Sequence, residues 1–263
     1  MAHPIFPGFR VRGVVRAIAS VALTSSWVLL PVAVEAATFV SSRAELDGND
    51  QLDWSSLGRI FDPRNPDPTT FLAPSFTATS ERGVGLTVDI PTRFDLGVTP
   101  PFVFETLPPE GIPTNFASGD FLLFTGLNLA SGFPAIGNPG PLTISFDEPV
   151  AAAGAQFAVD DTLNFDATVV AFDEAGTLLE TFTVPGTASV ELDNSAVFLG
   201  VRSETTNIAR LEFSSSESDR AFAINTLSLV TPVPEPAAIV GLMFFGAIAV
   251  AVRQTRSPYY RRF

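Results

Sequence analysis

The sequence predicts an all-β protein whose main domain is a β-sandwich or jelly roll, and three observations support this class. Residues 38–118 show no long helical period and are divided by proline and glycine. From residue 119 onward, short apolar runs follow one another at regular spacing with turn residues between them. Within residues 142–146, apolar side chains alternate with Thr143 and Ser145, which is the period of a half-buried strand.

Thirteen segments are predicted to be strands on these grounds. They are residues 54–61, 75–79, 84–90, 101–106, 121–125, 142–147, 155–160, 165–173, 177–184, 188–192, 196–202, 208–213 and 222–230. Residues 173–176 end in glycine and should form a hairpin turn. Five phenylalanines of the first half are expected to supply core material: Phe61, Phe71, Phe76, Phe94 and Phe102.

The first 36 residues have the organisation of a secretory signal peptide. Three arginines (Arg10, Arg12 and Arg16) precede an apolar stretch, and small residues follow it. We predict cleavage after Ala36, because Val34 and Ala36 then occupy the two small-residue positions. An uncleaved N-terminal anchor is the alternative, although serine, threonine and proline interrupt the apolar run.

The last 32 residues, 232–263, form a second targeting segment. Pro234, Glu235 and Pro236 are followed by an apolar run over residues 237–252 and then by an arginine-rich end (Arg253, Arg256, Arg261 and Arg262). We predict that this run is a short transmembrane helix. At ~24 Å it is slightly shorter than the ~30 Å hydrocarbon core of a bilayer, which suits a temporary stop more than a lasting anchor. Its arginines should stay cytoplasmic, which leaves residues 37–231, the body, outside.

Composition excludes many kinds of chemistry. The chain has no cysteine, all 15 of its basic residues are arginine, and its one histidine is His3 in the signal segment. Disulfides, thiolate nucleophiles, Ser-His-Asp triads, histidine-bound zinc and lysine Schiff bases are therefore excluded from the body. Carboxylate chemistry and oxygen-ligated cations remain, and we predict no enzymatic activity and no catalytic residue.

Charge restricts the partners of the body. It contains 8 arginines and 26 acidic residues, a net charge of −18. A surface this acidic repels nucleic acid and anionic lipid headgroups. Cations and neutral polymers such as polysaccharide remain as partners.

Two acidic clusters are candidate cation sites. Asp160, Asp161 and Asp166 lie on one loop between two predicted strands, and their carboxylates with loop carbonyls are the ligands that Ca²⁺ prefers. An ordinary acidic turn is the alternative, and use of the same carboxylates as a glycosidase acid/base pair is a further one. Residues 47–53 also contain three aspartates, but they lack the spacing of an EF-hand loop and should form a solvated loop.

Aromatic residues argue against a typical sugar-binding platform. Trp54 is the body's one tryptophan, and both tyrosines lie in the tail. Exposed tryptophan and tyrosine are the usual platforms, because their polar edges tolerate water. We predict that Trp54 anchors the core and that the body's phenylalanines lie at buried strand positions.

Two resemblances add to these expectations. Residues 140–149, 154–157, 197–201 and 222–227 resemble jelly-roll, carbohydrate-binding-like domains of exported bacterial proteins, with Asn225 where comparable sequences often have aspartate. The tail resembles a PEP-CTERM sorting signal, also called the ice-binding protein C-terminal domain.

The second resemblance implies an exported bacterial envelope protein, an exosortase substrate that this membrane peptidase cleaves near the motif. The protein would then be tethered to the membrane or released to the cell surface, and it would associate with exopolysaccharide. A structural role in the extracellular matrix is the expected function. Calcium-dependent carbohydrate binding or adhesion is the alternative.

Overall fold

The computed structural model describes residues 37–63, 65–106, 115–132 and 134–232, and in this part of the chain two antiparallel sheets pack face to face. The predicted all-β sandwich is therefore confirmed. Within these ranges no helix is long and apolar enough to span a bilayer. The predicted signal peptide, the sorting motif Pro234, Glu235 and Pro236, the predicted transmembrane helix over residues 237–252 and the tail arginines lie outside the described residues.

The elements alternate repeatedly between the sheets. The first sheet contains β1 (Thr38–Val40), β2 (Asp50–Leu52), β5 (Phe102–Glu105), β6 (Phe121–Phe124), β8 (Ala152–Val159), β11 (Val197–Arg202), β13 (Phe222–Ile224) and β14 (Leu227–Val230). The second contains β3 (Ser75–Thr79), β4 (Gly85–Asp89), β7 (Leu142–Val150), β9 (Asn164–Phe172), β10 (Leu178–Thr187) and β12 (Ile208–Ser215). One short α-helix, α1 (Arg43–Leu46), follows β1, and single 3₁₀ turns cover Trp54–Leu57, Pro68–Thr70 and Phe94–Leu96.

Strand β8 organises the first sheet. On one side it pairs with β11, and on the other it pairs with β13 and then with β14. β13 and β14 therefore pair with successive parts of the same edge of β8, and Asn225 and Thr226 separate them. Beyond this line the sheet divides, because β13 continues to β6 whereas β14 continues to β2.

The main core lies between the sheets. Leu142, Ile144 and Phe146 of β7 are buried while Thr143 and Ser145 are partly exposed, as the alternation predicts. Trp54 is fully buried in this core, which confirms its predicted role as an anchor. A second cluster covers the other face of the first sheet and includes Phe61, Phe102, Phe116 and Phe124. Because β5 and β6 are covered on both faces, their sequences are almost continuously apolar.

The sandwich has two ends. At the exit end, Val150 pairs with Ile208, and the amide of Ala151 donates to the carbonyl of Val230, the last residue of β14. At the far end, Leu142 pairs with Phe213 and Val159 pairs with Phe222. Among the described residues, the far end carries 90–100, 126–132, 134–141, 160–163 and 216–221.

Several predicted elements are wrong in detail. Residues 54–57 form a 3₁₀ turn rather than a strand, because the Asp53 carboxylate caps the Ser55 amide. No strand forms over residues 188–192, and the strand predicted at 222–230 is interrupted after Ile224. The three-residue strands β1 and β2 are not predicted by the sequence, since such short segments carry no measurable period.

Candidate functional site

The loop predicted to bind calcium is an arginine-paired turn. Asp160 and Asp161 directly follow β8, and Arg220 precedes β13, so antiparallel pairing brings them together. The Arg220 Nε donates to Asp161 Oδ2 at 3.0 Å, and its guanidinium also pairs with Asp219 at 3.1 Å. A guanidinium on the Asp161 carboxylate competes with any metal ion at that position.

Asp160 beside this pair is only 1% exposed. Its backbone amide donates to the Ala221 carbonyl at 2.9 Å, but its Oδ1 atom has no hydrogen-bond partner among the described residues. Burial, and secondarily the Asp161 charge, raise the pKa of Asp160 to about 7, although the Arg220 cation acts against this shift. A buried carboxyl of this kind is close to half protonated at neutral pH.

Asp166 is placed differently from the other two predicted ligands. It is an exposed residue of β9, and its amide donates to Ser216 Oγ at 3.1 Å. It lines a cavity of about 860 Å³ with Asn164, Pro185, Ser195 and Ser216. In the described ranges no three carboxylate, histidine or cysteine side chains are grouped to hold a metal, so calcium at Asp160, Asp161 and Asp166 stays a prediction.

The aspartates of residues 47–53 each serve local structure. Asp47 ends α1 in the left-handed conformation, and Asp53 caps the 3₁₀ turn at Trp54. Asp50 is buried in β2, where its carboxylate accepts hydrogen bonds from Ser80 Oγ at 2.5 Å and from the Arg82 amide at 2.9 Å. The predicted solvated loop is therefore partly wrong, since Asp50 is an internal acceptor that joins β2 to the β3–β4 turn.

A second polar cluster surrounds Asn225, at the point where the first sheet divides. Asn225 Oδ1 accepts from the Gln156 amide of β8 at 3.0 Å and so replaces the missing strand acceptor. Its Nδ2 donates to Gln156 Oε1 at 2.6 Å and to Asp120 Oδ2 at 3.0 Å. Its backbone carbonyl accepts from Trp54 Nε1 at 2.9 Å. One side chain thus holds the break between β13 and β14 together.

Arg43 completes this cluster from α1. Its guanidinium donates to Asn225 Oδ1 at 2.9 Å and also to the Ser228 hydroxyl. Burial lowers the pKa of Arg43, and the nearby Asp120 charge opposes that shift. An aspartate at position 225 would favour a metal cation beside its carboxylate. In this chain the Arg43 guanidinium occupies that place. No sequence signal indicates this contact, because the two residues are 182 positions apart.

A concavity of about 440 Å³ opens beside the cluster. Arg43, Gln156, Asn194 and Phe198 are among its lining residues. Gln156 Nε2 donates to Asn194 Oδ1 at 2.9 Å, and the Arg43 guanidinium lies 5.7 Å from the centre of the Phe198 ring. Its polar groups are mostly bonded to one another, which is typical of a structural network rather than of an empty ligand site.

Comparison with known proteins adds little. No model of a known protein family matches the chain, and no curated protein matches it. A crystal structure of a DUF4465 family protein from Bacteroides caccae is similar to it at 12% sequence identity and a TM-score of 0.35, over 74% of this chain and 100% of that one. A similarity at this level carries no argument about function.

Proposed function

We propose that the chain is an exported structural protein of the bacterial cell surface or extracellular matrix, delivered by an exosortase-type membrane peptidase. The sequence of the tail provides the main support, through the Pro234, Glu235 and Pro236 motif, the apolar run and the terminal arginines. The membrane is a partner through this tail until the tail is processed. The body contributes no catalytic residue to this role.

The way in which the folded body ends is a second support for this proposal. β14 finishes at Val230, and the Asn49 side chain holds Thr231 by three hydrogen bonds of 2.9 to 3.1 Å. Pro234 follows three residues later, so at most ~10 Å of extended chain separates the last anchored residue from the motif. A folded unit that ends immediately before a processing motif is suited to remain intact when the tail is removed.

We also propose that the sandwich is of the jelly-roll type. Its chain crosses between the sheets at β2–β3, β4–β5, β6–β7, β7–β8, β8–β9, β10–β11, β11–β12 and β12–β13, and such repeated crossing is typical of double Greek-key sandwiches. Hairpins within one sheet are formed by β3–β4, β5–β6 and β9–β10. An experimental structure with fewer crossings would contradict this assignment.

Intact-mass spectrometry of the protein from its producing cell tests the sorting proposal. We expect an N-terminus at Ala37 and loss of the mass that corresponds to residues beyond the Pro-Glu-Pro motif. Replacement of Glu235 by Ala should leave the tail attached while N-terminal cleavage proceeds normally. A native mass that runs through to Phe263 would show a permanent anchor instead and would contradict processing.

The two other roles make different demands. Calcium-dependent carbohydrate binding requires a response to chelator and its loss in Asp161→Ala, whereas that carboxylate is now paired with Arg220. Glycoside hydrolysis requires two carboxyls across a cleft, and a panel of glycosidase substrates tests it directly. Turnover of any substrate in the panel would replace the structural role.

A further inference from the structure

Phe94 is the most exposed large apolar side chain in the described part of the chain, at 83%. The sequence predicts it as core material, and this prediction is wrong. Phe94 begins the 3₁₀ turn Phe94–Leu96 at the far end, and that turn is fixed by bonds from the Leu96 amide to the Arg93 carbonyl and from the Gly97 amide to the Phe94 carbonyl. The ring is therefore presented to solvent by an ordered turn.

Further apolar side chains lie on the neighbouring loop. Leu129 is 50% exposed and Ile136 is 36% exposed. Asn128 joins the two loops, because its Nδ2 donates to the Leu96 carbonyl at 3.1 Å and its amide donates to the Ile136 carbonyl at 2.7 Å. We refer to Phe94, Leu129 and Ile136 as the Phe94 patch.

Two more hydrogen bonds attach the patch to the sandwich. Asn138 Nδ2 donates to the Pro91 carbonyl at 2.8 Å, and the Gly137 amide donates to the Asp219 carbonyl at 2.8 Å. The patch is thus a fixed part of the far end, opposite the end at which the chain leaves the fold at Thr231. In a protein tethered through its C-terminus, this end is directed away from the tether.

We propose that the Phe94 patch binds a neutral polysaccharide, with the Phe94 ring stacked on the C–H face of a sugar. Size is the first reason: one exposed ring and two partly exposed aliphatic side chains are far fewer than the roughly 20–30 residues, about 800 Å², that each partner contributes to a stable protein interface. A surface of this size fits one or two sugar rings, and a long polymer presents many copies of such a ring to each patch.

Charge and polar groups favour the same ligand. Anionic polymers and anionic membranes are repelled by a body with 26 acidic and 8 basic residues. Beside the ring, Arg93 and Asp95 form an ion pair with two hydrogen bonds, of 3.0 and 2.8 Å. The two charges cancel, and both side chains remain accessible to solvent. Charged groups that flank an aromatic ring donate to and accept from sugar hydroxyls, while the ring contacts the C–H face. Calcium is not required in this mode.

Affinity electrophoresis of the exported protein tests the proposal. The proposal rests on the proposed function in one respect, which is that the body lies outside the cell. The probes are gels that contain dextran, laminarin or galactomannan, with anionic alginate as the control polymer. We expect at least one neutral polymer to retard the wild type, Phe94→Ala to lose most of this retardation, and Phe94→Trp to keep or increase it. Leu178→Ala is the matched control, because Leu178 is 51% exposed on β10 away from the patch.

Three results would overturn the proposal. These are no retardation by any neutral polymer, retardation that Phe94→Ala leaves unchanged, and a concentration-dependent dimer of the wild type that Phe94→Ala dissolves, since a second copy would then cover the patch. Tail processing is read by mass on the same preparations. Retardation without processing would contradict the sorting proposal alone, and processing without retardation would contradict this one alone.

Discussion

Two polar clusters lie at opposite ends of β13, and they differ in how well their buried groups are paired. Just after the strand, Asn225 makes four side-chain hydrogen bonds to Arg43, Gln156 and Asp120. Just before it, Arg220 pairs with Asp161 while the buried Asp160 Oδ1 has no hydrogen-bond partner among the described residues. The first cluster should stabilise the fold, and the second should cost stability at neutral pH.

The largest expected effect comes from Asn225→Ala. It removes the acceptor of Arg43 and of the Gln156 amide and leaves Asp120 without its amide donor, so several partly buried groups lose partners together. We expect a loss of about 3–5 kcal/mol in the free energy of unfolding, measured by urea denaturation.

An amide exchange is the control for this variant. Asn225→Asp alone places its new carboxylate beside that of Asp120 and should destabilise the fold. Adding Asp120→Asn restores an amide–carboxylate pair, with the amide now at position 120 and the carboxylate at position 225. Recovery of most of the lost stability in the double variant is expected. A loss below about 1 kcal/mol in Asn225→Ala would mean that the network is not coupled and would remove the contrast with Asp160.

Asp160→Asn should act in the opposite direction. The folded state keeps the Asp160 proton up to about pH 7, whereas the unfolded chain releases it near pH 4. The folded state therefore binds more protons between these values, and wild-type stability should fall as the pH rises through this window and level off above it. The asparagine variant should lose this decline.

At pH 8 the gain in the free energy of unfolding should reach at most about 4 kcal/mol, measured by urea denaturation across pH. Asp166→Asn, at an exposed position of β9, is the matched control and should change little. A pH dependence that Asp160→Asn leaves intact would show that Asp160 is not the responsible group.

Arg220→Gln tests the cation between the two acids. Without it, Asp161 loses its partner and the ionised form of Asp160 becomes less favourable, so we expect a loss on the order of 2–3 kcal/mol at pH 8. The loss should be smaller at pH 5, where Asp160 is protonated. Arg93→Gln, which removes an exposed ion pair with Asp95, is the control and should change stability little at either pH. Equal losses at both pH values would contradict the coupling.

The smallest expected effect is that of chelator. Because the Arg220 guanidinium already satisfies Asp161, the melting temperature of the wild type should not change when EDTA is added. Arg220→Gln in the presence of Ca²⁺ is the informative comparison, since it frees the carboxylates. A fall in the wild-type melting temperature with EDTA would support the calcium site predicted at Asp160, Asp161 and Asp166.

Most strands of the sandwich can be predicted from the sequence, because they are long enough to show the alternation of apolar and polar side chains. Residues of β7 alternate over several positions, and the turn between β9 and β10 ends in Gly176, whose φ of 76° suits glycine. The interruption after Ile224 could not be predicted, since apolar residues continue on both sides of it. Only the contacts of Asn225 with β8 and α1 explain it.

The candidate site was less predictable, because its decisive contact joins residues that are far apart in the sequence. Adjacent aspartates at 160 and 161 suggest a shared metal, but the residue that decides their state is Arg220, which is 59 positions from Asp161. The sequence predicts Phe94 in the core because phenylalanine is usually buried, and a loop has no period that would indicate the direction of the ring.

The attachment of Thr231 has a mechanical consequence. β14 lies between β2 and β8, so its ladder bonds on both sides are perpendicular to the strand. A pull on the chain along the strand axis would load these bonds together, in shear, instead of opening them one at a time. Asn49 adds its three bonds at the point where the tension enters the fold. Under the proposed attachment through the tail, this ending would resist unfolding by a pull on the chain beyond Thr231.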